Sequence, residues 1–151
     1  MRFSFILLAA GNSTRFKSNL PKPYHKIGKK TLIELTLNKI KQFKEFKKII
    51  IVANKKHKKF LKKINLKNIV ILNGGETRQQ STYRALNYLN SKGYDRVLIH
   101  DAARPNFSLN LIKKILGESK KNEIVIPTIK LQDALKTQLA SLQDSIRMHL
   151  C

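Results

Sequence analysis

The stretch Leu7–Lys22, LLAAGNSTRFKSNLPK, decides how this chain is read, because it turns an apolar run into a cationic loop without a single acidic residue. The run Phe3–Ala9 that leads into it is short and apolar. It suits a strand buried on both faces, and a run of this length equally suits a segment of buried helix. Ala10 and Gly11 then let the backbone pass close to whatever lies above the strand, and Gly11 offers backbone angles that other residues avoid. Arg15, Lys17 and Lys22 come next, with Pro21 and Pro23 stiffening the exit. Small residues, backbone N–H groups and cations at the carboxyl end of a strand suit a polyphosphate; an ordinary basic surface loop is the alternative.

Working outward, 151 residues at 42% hydrophobic are enough for one domain with its own core, and no linker rich in Pro, Gly or Ser divides them. The single cysteine, Cys151, is terminal, which removes a disulfide framework and a Cys-based metal site and points to a reducing, cytoplasmic setting. Met1-Arg2 before Phe3–Ala10 has the outline of a stunted signal peptide, but the same residues serve better as a first strand. No apolar run approaches the ~18 residues that span a bilayer. The net charge of +22 asks for an acidic partner. Nucleic acid is disfavoured, because the cations are 24 Lys against 7 Arg and accompany no nucleic-acid motif. A lysine-biased proteome gives the same numbers.

The rest of the chain alternates. Thr31–Phe43 reads as a helix, with Thr31 and Glu34 at capping-box spacing and Ile33, Leu37, Ile40 and Phe43 on one face. Lys48–Ala53 is a β-branched strand, and Asn54 caps a helix through KKHKKFLKKI. Ile69–Leu72 is a third strand ended by Asn73-Gly74-Gly75. Thr77 and Gln80 repeat the capping spacing, before an apolar face of Thr82, Ala85, Leu86 and Leu89. Arg96–Ile99 is a fourth strand with His100–Pro105 as its exit loop, Ser108–Leu116 a helix closed near Gly117, and Glu123–Pro127 a fifth strand. Strands alternating with helices imply an α/β fold, a three-layer, mostly parallel open sheet with helices on both faces. Ligands of such sheets bind beyond the carboxyl ends of the strands, where AAGNSTR, NGGETRQQS and HDAARP all fall.

Together these segments offer Arg15, Lys22, Arg78 and Arg104 as cations, Glu76 and Asp101 as carboxylates, and Ser81 with turn amides as donors. That inventory suits phosphate chemistry. The histidines His25, His57, His100 and His149 lack metal-ligand spacing. A Ser81–His100–Asp101 triad fails because adjacent residues at a strand end point apart. Gly11 sits in neither GxGxxG nor GxxxxGK[ST].

LAAGNSTRF with PKPYHKIGKKTLIE, then GGETRQQS, then HDAARP, resembles the 2-C-methyl-D-erythritol 4-phosphate cytidylyltransferases of non-mevalonate isoprenoid synthesis, over about residues 3–136. The resemblance implies a Rossmann-like nucleotidyltransferase fold and transfer of CMP from CTP with release of pyrophosphate. It implies Ala9, Ala10 and Gly11 as the backbone cradle of CTP, and Arg15 and Lys22 as the catalytic pair that neutralises the triphosphate. Gly75, Glu76 and Ser81 match positions that read cytosine, with Glu76 in place of an expected aspartate. Asp101 matches the carboxylate near the ribose and a Mg²⁺ ion, and Arg104 a contact to the polyol phosphate. A CTP- or nucleic-acid-binding module without turnover, or a cytidylyltransferase for another polyol phosphate, stays open.

The pattern breaks late. Ala134 stands where the family pattern places a threonine hydroxyl against the acceptor, and after Lys136 the resemblance stops altogether, with the dimer-forming arm, a TPQ segment and a lysine-bearing strand absent. The family's homodimer is therefore not expected to form in the usual way. The division expected is a nucleotide-binding domain over 1–135, incomplete relative to the family, and a tail over 136–151. Leu131, Leu135, Leu139, Leu142, Ile146 and Leu150 are spaced as on an amphipathic helix, and the reading is of an amino-terminal part with a broken end.

Overall fold

Phe3–Ala9 forms a strand, β1, whose seven residues are all buried, as a central strand of a parallel sheet is when helices cover both faces. The computed structural model describes residues 1–11, 13, 18, 20–62, 64 and 67–128. The chain divides into two compact units, Met1–Leu109 and Asn110–Cys151.

In the first unit, the two-residue strands β2 (Lys26–Ile27) and β3 (Lys30–Thr31) make a small hairpin that hands the chain to helix α1 (Leu32–Ile40). The capping box is present: the Thr31 hydroxyl accepts the Glu34 amide, and the Glu34 carboxylate accepts the Thr31 amide at 2.7 Å. That bond holds the Glu34 carboxyl below its usual range. α1 stops short of Phe43, whose ring meets Phe46 instead at 6.1 Å. Phe46 opens β4 (Phe46–Ala53). Asn54 caps the turn beyond this strand, as its residue type predicts, but Lys55–Leu61 winds as a 3-10 helix. Its lysines repel one another and only Leu61 is buried, too little to hold an α-helix.

β5 (Ile69–Asn73) leads to α2 (Arg78–Asn90), capped by Thr77 and Gln80 as the spacing predicts. Its buried stripe is Ser81, Ala85 and Leu89; Leu86, expected inside, is 37% exposed. β6 (Arg96–Asp101) comes next. The four long strands form one parallel sheet in the order β5, β4, β1, β6.

Alternation along the strands sends side chains to opposite faces. Ile6, Leu8, Ile50 and Val52 pack with Ala85 and Leu89 of α2. On the other face Phe5 and Leu7 are fully buried, Phe5 meets His100, and His100 meets Phe107. Lys39 of α1 reaches Phe107 too, so α1 covers this face, with Ile33, Leu37 and Ile40 buried. The α/β sheet with helices on both faces is thus the observed architecture.

The second unit begins with the body of α3 (Leu109–Glu118), which runs through Gly117 rather than ending before it and buries Ile112 and Leu116. Residues 123–128 form no strand, contrary to the expectation for Glu123–Pro127. Ile124 and Ile126 are 79% and 56% exposed, and β-branched residues favour strands only where a pleated surface lets them pack. The expected helix over Leu131–Leu150 and the position of Ala134 lie outside the described residues.

Candidate active site

Chain order runs from β1 outward to β4 and β5, then returns to place β6 on the other side of β1. This is a topological switch point, where a parallel sheet leaves a crevice beyond its carboxyl ends. A cavity of about 660 Å³ occupies it, lined from all three expected loops. Ala9, Ala10, Gly11, Ser13 and Lys22 come from the first, Gly75, Glu76, Arg78 and Ser81 from the second, and Asp101 and Arg104 from the third. Arg15 lies outside the described residues.

The strand ends fix these loops by extending the ladder. The Ala102 amide, one residue past β6, donates to the Leu8 carbonyl at 2.9 Å. The Gly74 amide, one residue past β5, donates to the Ala53 carbonyl at 3.0 Å. Because Asp101 pairs with Leu8 in register and His100 with Leu7, the two side chains leave on opposite faces. Asp101 enters the cavity, while the His100 Nε2 bonds the Arg104 carbonyl at 2.8 Å and its ring faces Phe107, so no Ser–His–Asp triad assembles.

In the first loop, a Cβ on Gly11 would meet open space, and Gly11 has no left-handed backbone angle. Conformational freedom is therefore not what this glycine supplies; it keeps a wall of the cavity low. Ser13 takes the positive φ instead, 54°, and its hydroxyl accepts the Lys22 amide at 2.9 Å, closing the loop on itself. Lys22 starts a short 3-10 turn, Lys22–Tyr24, that buries Pro23 and Tyr24. Burial pushes the Tyr24 phenol up to about 12, so it stays protonated and donates to the Ala9 carbonyl at 3.5 Å.

The second loop is crowded where the first is open. A Cβ on Gly74 would collide with the Ala10 Cβ, and one on Gly75 would meet Gln80 at 2.5 Å. The Gly75 amide donates to Ser81, the Glu76 amide to the Gln80 side chain at 2.8 Å, and Arg84 holds the Gly74 carbonyl at 2.7 Å. The amino end of α2 thereby faces the cavity and adds the positive end of its dipole.

Asp101 accepts from Arg104 at 3.1 Å and from Arg78 at 3.4 Å, an acidic centre held between two guanidinium groups. Arg78 was legible only as one cation among several; its pairing with Asp101 spans 23 residues and depends on the register of β6. Ser13 gave no signal beyond its residue type, and Gln80 was legible as a cap of α2 but not as the partner of the Glu76 amide. Arg, Lys, turn amides and a helix amino end around a central carboxylate suit a substrate with several phosphates.

The comparisons agree with this geometry. Residues 3–145 match the family IspD, 2-C-methyl-D-erythritol 4-phosphate cytidylyltransferase, so the likeness runs on past Lys136, contrary to the expectation that it stops there. A bifunctional IspD/IspF enzyme of Pelagibacter ubique is 48% identical over 141 residues, 93% of this chain and 38% of the relative. Among solved structures, the bifunctional IspDF of Campylobacter jejuni superposes with a TM-score of 0.76 at 30% identity, covering 91% of this chain and 36% of that one. The 4-diphosphocytidyl-2C-methyl-D-erythritol synthase of Anaerococcus prevotii gives 0.70 at 34% identity, covering 89% and 58%. The chain thus spans between about a third and three fifths of the length of these relatives.

Proposed function

The chain belongs to the 2-C-methyl-D-erythritol 4-phosphate cytidylyltransferase family, and from that premise we propose that its cavity binds CTP and a methylerythritol phosphate and transfers CMP between them. The observation that carries this reading is the convergence of three strand-end loops, each bearing a family motif, on one cavity at the switch point of the sheet.

In this reading a phosphate oxygen of the acceptor attacks the α-phosphorus of CTP in line. A new P–O bond forms as the bond to the leaving pyrophosphate breaks. No protein nucleophile takes part, so the work is positioning and charge. Lys22, with Arg15, neutralises the triphosphate and the charge that builds on the equatorial oxygens. Ala9, Ala10 and Gly11 cradle the nucleotide along a wall without side chains. Gly75, Glu76 and Ser81 read the cytosine, and the Ser81 hydroxyl, already accepting the Gly75 amide, keeps its own proton to donate. Arg104 holds the acceptor phosphate.

The cavity offers two carboxylates, Glu76 and Asp101, and no group of three or more His, Cys, Asp or Glu that could hold a metal occurs among the described residues. That sparse set fits Mg²⁺, which is commonly bound by one or two carboxylates and completed by phosphate oxygens and water. Asp101 would hold it, exchanging its guanidinium partners for the ion. When bound, Mg²⁺ supplies charge neutralisation across the phosphates. In this reading the chain belongs in a reducing, cytoplasmic setting, in keeping with a lone cysteine; no described helix is long and apolar enough to cross a membrane.

The test is pyrophosphate release from CTP by the full chain with Mg²⁺ and 2-C-methyl-D-erythritol 4-phosphate. Release dependent on that acceptor supports the reading. CTP binding without release, release only with another polyol phosphate, or salt-steep binding to RNA or DNA overturns it.

A further inference from the structure

The loop that carries Asp101 and Arg104 is held from behind by α1. The Lys39 ammonium donates to the Pro105 carbonyl at 2.8 Å and to the Phe107 carbonyl at 2.8 Å. It also stands over the Phe107 ring, 5.0 Å from its centroid. An ammonium has three N–H groups, and these contacts occupy it with two carbonyls and a ring face. One turn earlier, the buried Thr36 hydroxyl lies 3.4 Å from the Ala102 carbonyl. From the sheet side, the Phe107 ring packs edge-on against His100, whose Nε2 bonds the Arg104 carbonyl.

The side-chain anchors that α1 and His100 give to residues 102–107 lie on the face away from the cavity, and the cation among them is Lys39. Charge-assisted bonds of this length are stronger than neutral ones and bind two carbonyls that flank a single residue, Asn106. Lys39 also sits in the last turn of α1, where a positive charge is favoured by the helix dipole. A surface lysine gains nothing from being fixed in this way; a loop that must present a guanidinium at one position does.

We propose that Lys39 is a positioning residue: it locks the loop after β6 so that Arg104 faces the acceptor phosphate. This rests on the role given to Arg104 under the proposed function. Lys39 touches no part of the cavity lining that the nucleotide would meet. Its loss should therefore weaken the acceptor and spare CTP.

The experiment uses the full chain carrying Lys39→Met, which keeps length and apolar stem but removes the donors, and Lys39→Arg, which keeps a cation. Steady-state turnover gives KM for each substrate, and amide hydrogen exchange tracks residues 102–107. Lys39→Met is expected to raise the acceptor KM about tenfold, as a slight misplacement of a binding group does. The CTP KM should change less than about twofold, and exchange in the loop should rise; Lys39→Arg should recover part of both. An unchanged acceptor KM with unchanged exchange overturns the proposal, as does an equal loss for both substrates. If the unaltered chain shows no turnover, the functional reading fails, and the exchange data alone decide whether Lys39 locks the loop.

Discussion

The Gly75 amide and the Ser81 hydroxyl are 3.0 Å apart, a bond that ties the glycine turn after β5 to the first turn of α2 while Ser81 itself is 3% exposed. Replacing Ser81 by Ala leaves the Gly75 N–H without that partner. The expected cost is about 1–3 kcal/mol in urea unfolding. The same variant should lose affinity for CTP more than for the acceptor in titration calorimetry. Equal losses for the two would remove Ser81 from the base-reading role.

Gly74 is fixed by space rather than by backbone angle, since a Cβ there collides with Ala10 and comes within 3.1 Å of the Ser81 hydroxyl. Gly74→Ala should destabilise the chain by about 1–3 kcal/mol through overpacking. Gly11→Ala meets nothing in the protein, so it should leave the melting temperature unchanged and weaken CTP binding. A Gly11→Ala variant that binds CTP normally would show that the open wall is not where the nucleotide lies.

Arg78 and Arg104 flank Asp101 with side chains that are 68% and 77% exposed. Such pairs add at most about 1 kcal/mol to stability. Arg78→Ala and Arg104→Ala should both melt within a few degrees of the parent, yet Arg104→Ala should raise the acceptor KM far more than Arg78→Ala. Thermal melts beside steady-state kinetics read both halves of this expectation.

His57 packs against Tyr24 and Phe60 with its Nδ1 buried and unbonded among the described residues. Burial, and then the charges of Lys56 and Lys59, hold its pKa below the usual value. The unfolded chain therefore takes up the proton first, near pH 6.5. Stability from this site is complete above that pH, falls as the pH drops below it, and stops falling below the folded-state pKa. Melting temperatures from pH 7.5 to 5 should decline, and His57→Gln should flatten the decline.

Much of this was legible in the sequence because it is local. Thr31 with Glu34, and Thr77 with Gln80, fixed two helix starts within four residues each, and the structure shows both capping boxes. The apolar runs placed the sheet strands, and the loops between them named the cavity lining. What escaped depends on distant partners. EIVIP looked like a strand, but propensity cannot supply a surface to pack on. KKHKKFLKKI looked like an α-helix, but helical spacing does not discount the repulsion between its lysines. Gly11 looked like a conformational requirement and is a matter of clearance. The ion pair of Arg78 with Asp101 and the lock of Lys39 on Pro105 arise from register and layering, which no short stretch contains.

The ladder bonds beyond β5 and β6, from Gly74 to Ala53 and from Ala102 to Leu8, make the cavity an outgrowth of strand pairing. A slip of one residue between β1 and β6 would carry Asp101 about 3.3 Å along the strand and turn it to the opposite face. Core substitutions far from any ligand can therefore silence this chain without touching a residue of the cavity. A screen for inactive variants should return such positions alongside the polar ones.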